Sequence, residues 1–121
     1  MRAWLLAALF VSLPATASVD RVCYVYLVND AKSSVVSFEA APTKSQQWVR
    51  LPIGEQPLAG GGAATMLGIR KGTDCLHDFR IAFADGRVLI QRGFDICRFG
   101  SFHPDFYLRH SQPVRDGEPE I

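Results

Sequence analysis

Residues 75–99 read CLHDFRIAFADGRVLIQRGFDICRF, and this stretch decides the fold. Two runs rich in apolar residues, 75–84 and 87–99, flank Asp85-Gly86, a dipeptide that favours a two-residue type I′ turn between antiparallel strands. With Ala84 facing Arg87, Phe79, Ile81 and Phe83 share one face with Val88 and Ile90. Continued without a break, that register sets Cys75 opposite Ile96 and turns Cys97 to the other face. One extra residue in the second strand repairs the mismatch. Gly93 is the natural bulge position, and a bulge there brings Cys97 opposite Cys75. The expectation is a Cys75–Cys97 disulfide contingent on that bulge, closing a loop of about 23 residues and contributing about 3 kcal/mol.

Upstream, residues 21–29 (RVCYVYLVN) are rich in Val and Tyr and run into the Asn29-Asp30 turn signal, which reads as a first strand. Residues 35–40 (VVSFEA) read as a second, with Val36, Phe38 and Ala40 on one side and Ser37 and Glu39 on the other. A short extended piece follows at residues 48–51. Gly54, Pro57 and Gly60-Gly61-Gly62 then punctuate a connection without regular structure. Residues 63–70 (AATMLGIR) fit a strand or one helical turn, and strand is the preferred reading. Gly100 ends the regular part, and residues 111–121 (SQPVRDGEPEI) read as a mobile tail. Nothing downstream of the N-terminal segment has the length and period of an amphipathic helix. The chain reads as all-β, a small antiparallel, immunoglobulin-like sandwich of five to seven short strands spanning residues 18–110.

The first 17 residues carry an address. Arg2 precedes the apolar run WLLAALFVSL (residues 4–13), Pro14 breaks it, and Ala15-Thr16-Ala17 offers small residues for cleavage before Ser18. The run is shorter than the roughly 20 residues that cross a bilayer, and no lipoprotein box precedes Cys23. The expected product is secreted, with the bacterial periplasm as the destination and no membrane span in the mature chain. Losing Arg2 from 13 basic residues leaves 12 against 12 acidic ones, a mature net charge of zero. That balance argues against nucleic acid as a partner.

The order Leu27-Val28-Asn29, a lone Trp48, Leu58 to Gly61, then Cys75, Asp78-Phe79-Arg80, Asp85-Gly86-Arg87 and Asp95-Ile96-Cys97 resembles small secreted bacterial β-sandwich proteins of unknown function with a C-terminal two-cysteine hairpin. The resemblance covers residues 22–99 and implies cysteines placed as Cys75 and Cys97 are. Cys23 and residues 102–110 depart from it, and it implies no catalytic residues.

Cys23 is the odd thiol: a small buried strand residue on the plain reading, a reactive or metal-binding group on the functional one. With His77, His103 and His110 it supplies the raw material for a metal or thiol-active protein, but no zinc spacing, nucleophile elbow or phosphate loop is present. No catalytic residue, metal or cofactor is therefore assigned. The leading site is a surface formed by Arg92, Arg98, Phe99, Phe102, Phe106 and Tyr107, residue types enriched at interfaces. Its plain alternative is that the phenylalanines fill the core and the arginines coat the wet face. The expected function is a non-catalytic binding or structural module that takes an envelope protein or polysaccharide.

Overall fold

A computed structural model describes residues 21–106; the expected leader at 1–17, Tyr107, His110 and the expected tail at 111–121 lie outside the described residues. Seven strands follow in order: β1 (Val22–Asn29), β2 (Val35–Pro42), β3 (Val49–Leu51), β4 (Ala63–Arg70), β5 (Leu76–Phe83), β6 (Val88–Asp95) and β7 (Ser101–Phe102). They form two sheets, β4-β1-β7 and β3-β2-β5-β6. This is the small all-β sandwich expected from the strand pattern. All pairings are antiparallel except β1 with β7. No helix among the described residues is long and apolar enough to cross a membrane.

The inner faces meet over an aromatic cluster. Phe79 of β5 stands 4.9 Å from both Phe38 and Phe94 and 5.2 Å from Phe102, between ring centroids. Phe102 meets Phe38, Phe79 and Phe94 edge-on, the geometry that sets positive ring edges against negative faces. Val25, Leu27, Leu67, Ile69, Ile81 and Leu89 complete the buried interior around them.

The decisive hairpin departs from expectation at its tip. Phe83, not Ala84, faces Arg87: Phe83 N–H donates to Arg87 O at 2.9 Å, and Ala84-Asp85-Gly86 make a three-residue loop closed by Gly86 N–H on Phe83 O. Gly86 adopts φ +90°, the left-handed residue that such a loop requires, and Asp85 caps the Arg87 amide at 3.0 Å. The register is therefore one residue off the expected one. Leu89 lies opposite Ile81 and is buried, whereas Val88 is exposed and Ile90 only half-buried.

The bulge is where it was expected. Pairing shifts between His77 and Phe79, whose partners Phe94 and Gln91 leave one extra residue, and Gly93 carries φ +66°. Beyond the bulge Phe94 and Ile96 point inward. Cys75 then faces Ile96, which donates to its carbonyl at 2.9 Å, and not Cys97. The turn after β6, with Phe99 N–H on Asp95 O, brings Cys97 back, and the Cys75–Cys97 disulfide forms across Cα atoms 5.4 Å apart.

Two further features depart from the pattern. A second bulge between Val35 and Ser37 turns Val36 out to solvent while Val35 and Phe38 stay buried. The other is β7, which forms beyond Gly100. Gly100 O accepts from Tyr26 N–H at 2.8 Å, and Phe102 lies beside Leu27 with no exposed surface.

Phe102→Ala should cost about 3–5 kcal/mol, the range for emptying a large aromatic site, and is checked by urea unfolding. Reducing the Cys75–Cys97 disulfide should lower stability by about 3 kcal/mol in the same experiment.

Candidate functional site

Buried polar groups locate the places where this small sandwich departs from simple core packing. Asn29, His77 and Asp78 are the buried polar side chains among the described residues. Asn29 is fully employed: its Nδ2 donates to Ser33 O and Leu58 O, each at 2.9 Å, and its Oδ1 accepts from Ala31 N–H. It ties the β1–β2 turn to the long connection before β4. Gly61 and Gly62 donate their amides to Ala31 O and Asn29 O, so these groups are bound into the fold. At Gly60 a Cβ would collide with the carbonyls of Ala31 and Lys32.

Asp78 points to the outer side of β5, opposite the bulge, and is 2% exposed. Its carboxylate accepts from Gly93 N–H at 2.9 Å, Thr43 Oγ1 at 2.9 Å, Lys44 N–H at 3.3 Å and Arg92 Nη1 at 3.3 Å. Burial pushes its pKa up, but the bonds from Gly93, Lys44, Thr43 and Arg92 together outweigh that and hold it below the ordinary value of 3.8. Asp78 thus satisfies the amide that the bulge leaves unpaired.

His77, one residue earlier, points to the inner side with Phe79 and is also 2% exposed. Its Nδ1 is buried without a hydrogen-bond partner, the only such side-chain atom among the described residues. The His77 side chain lines a cleft of about 180 Å³ between the two sheets, on the side where β3 and β4 form neighbouring edges. Ala40, Pro42, Leu51 and Ile69 supply apolar walls; the exposed Val49 and Arg70 stand at the mouth. A dry space of about 150 Å³ holds a benzene ring, so the cleft takes a group of about that size. The chemistry available there is recognition: a mostly apolar enclosure with His77 in its wall and Arg70 and the Gly68 main chain at its β4 side.

The surface expected from sequence is divided. Phe102 belongs to the core, because β7 pairing with β1 swings it inward, so it is not part of an exposed site. Phe99 is half-exposed, stacked on Phe94 at 5.7 Å and covered by Arg98 at 5.5 Å. Arg92 is committed to Asp78, and Phe106 is exposed. Tyr107, the last member of the expected surface, lies outside the described residues.

Among the described residues the sulfur and imidazole ligands do not converge. The one metal-type grouping among the described residues is Cys75, Asp95 and Cys97, and both of its sulfurs are in the disulfide. His103 stands 3.9 Å from Asp30 at the surface. Cys23 is a free thiol, partly buried against the core opposite Ile69.

From sequence His77 enters as a metal ligand or a partner of the Cys23 thiol, not as a buried interior residue. A signal for its burial was present in its parity with Phe79, Ile81 and Phe83. Comparison with family models, curated proteins and solved structures returns no match for this chain.

Folding lowers the pKa of Asp78, so its contribution to stability is complete above 3.8 and is lost as pH falls through the lowered native value. Asp78→Asn should be less stable at neutral pH by about 2–3 kcal/mol, and its stability should fall less steeply than wild type below about pH 4. Urea midpoints across that pH range test both.

Proposed function

We propose that this chain is an exported, non-catalytic binding module that works in the bacterial envelope and seats an apolar group carrying one hydrogen-bonding atom in the β3–β4 cleft. The observation that carries the reading is the orphaned, buried Nδ1 of His77, whose side chain lines a mostly apolar cleft. A buried nitrogen left unsatisfied costs about 1–3 kcal/mol. A purely structural interior has no use for that cost, since a leucine fills similar space without it. A bound hydroxyl answers it, because it both donates and accepts and so serves either tautomer of the imidazole.

The leader pattern at residues 1–17 and the disulfide support export, since cross-links of this kind persist in oxidising compartments. Binding is preferred to catalysis because His77 has no acid or nucleophile among its hydrogen-bond partners to orient it.

Phenol is the simplest probe with an aromatic body and one hydroxyl. A ligand of seven non-hydrogen atoms at about 0.6–0.8 kcal/mol per atom binds with a Kd of about 0.1–1 mM. In amide NMR titration, phenol should shift resonances of Leu51, Ile69 and His77 selectively. His77→Leu should raise thermal stability by about 1 kcal/mol while weakening phenol at least tenfold. Unshifted resonances at 20 mM phenol, or undiminished binding by His77→Leu, would reject the cleft as the site.

A further inference from the structure

The four edges of the two sheets are not treated alike. β7 is two residues long, β3 is three and runs into Pro52, and β6 carries the Gly93 bulge with Arg92 beside it. Short length, proline, bulges and charge are the devices that keep a sheet edge from pairing with another chain. β4 has none of them. It is eight residues long, pairs with β1 through eight consecutive positions without a break, contains no proline or lysine, and has one charge, at its terminal Arg70.

Its backbone is also correctly disposed. Lys71 N–H donates to Arg21 O, so by the alternation of antiparallel ladders the odd residues Ala63 to Ile69 direct their amides and carbonyls at β1. Those of Ala64, Met66 and Gly68 face the other way, along the open side of the sandwich, and make no hydrogen bond among the described residues. Here the β4 edge borders the cleft, to which β4 contributes Gly68, Ile69 and Arg70. A strand added at this edge directs its alternate side chains inward, between β4 and β3, which is into the cleft.

We infer that the ligand of this module is an extended peptide segment of a partner protein that adds as a strand to the β4 edge and inserts one tyrosine or threonine side chain into the cleft, its hydroxyl reaching Nδ1 of His77. The inference rests on the cleft reading above and specifies the occupant. Main-chain hydrogen bonds to Ala64, Met66 and Gly68 supply affinity, and the inserted side chain supplies selectivity.

Random octapeptides displayed on phage and selected on the immobilised full protein test this. Binders should alternate polar and apolar residues around a shared Tyr or Thr. A synthetic copy of a selected peptide should slow hydrogen exchange of the Met66 and Gly68 amides at least tenfold. Met66→Pro removes an amide that does not serve the β1 pairing, and should weaken the peptide at least tenfold while leaving phenol binding intact. Ala64→Pro does the same at the next position should Met66→Pro fail to fold, and the exchange measurement needs no variant. If phenol binds but no octapeptide is selected, or if selected peptides leave the β4 amides unprotected, the strand-addition inference is overturned and the cleft stands. Protection of those amides in the protein without peptide would also overturn it, since the edge would then be occupied by the chain's own residues. If phenol fails as well, the cleft reading itself has failed.

Discussion

The hydrogen bond from the Gly93 amide to the Asp78 carboxylate is the constraint on which the rest of the sandwich depends. Before the bulge, odd-numbered residues of β6 face inward, as Leu89 does. Were that parity to continue, Gln91, Gly93 and Asp95 would enter the core and Phe94 and Ile96 would leave it. The extra residue reverses the parity, so Phe94 joins Phe79 and Phe102 and Ile96 closes the end of the core. Inserting a residue leaves an amide without a ladder partner, and Asp78 supplies the acceptor. The same carboxylate takes Thr43 and Lys44, which fixes the turn leaving β2 to the hairpin that follows much later in the chain. One buried acid thereby sets strand parity, the route of the β2–β3 turn and the approach of Cys97 to Cys75.

Much of this was legible in the sequence where the physics is local. The bulge at Gly93 followed from a requirement that two cysteines meet, and the pairing of Cys75 with Cys97 came with it. The right pair follows even from a register that is off by one at each end. Asp85-Gly86 serves a two-residue turn and a three-residue loop with its glycine in the left-handed region equally well, and the chain takes the second. The closing offset is made up by the turn after Asp95, which returns Cys97 to Cys75 without direct opposition. Val36 shows the same weakness: six residues alternate equally well on either parity, and only the partner strand reveals that Val35 is the inward one.

What was not legible is non-local. A two-residue strand such as β7 has no periodicity to detect, and its parallel pairing with β1 depends on where the turn after β6 delivers the chain. Phe102 consequently read as surplus, although it supplies three edge-on contacts to the central ring cluster. The cleft is less visible still, because it is a separation between sheets and involves β2, β3, β4 and β5 together. Only the inward parity of His77 pointed toward it.

The open side follows from how the interior is filled. The large rings concentrate where β5, β6 and β7 meet, with Phe94 joined to Phe79, Phe102 and Phe99 near the disulfide turn. Toward β3 and β4 the residues that line the gap include Ala40, Pro42 and Gly68, none with a side chain long enough to bridge two sheets roughly 10 Å apart. Close packing on one flank therefore leaves a gap on the other, and His77 is the buried polar side chain in its wall. Asn29 and Asp78, equally buried, each engage three or more partners through their polar atoms, so this fold is able to satisfy interior polar groups where they serve only structure. The unsatisfied nitrogen of His77, in the wall of the cleft that the open β4 edge borders, is the exception to that practice, which is why the proposed binding is placed there.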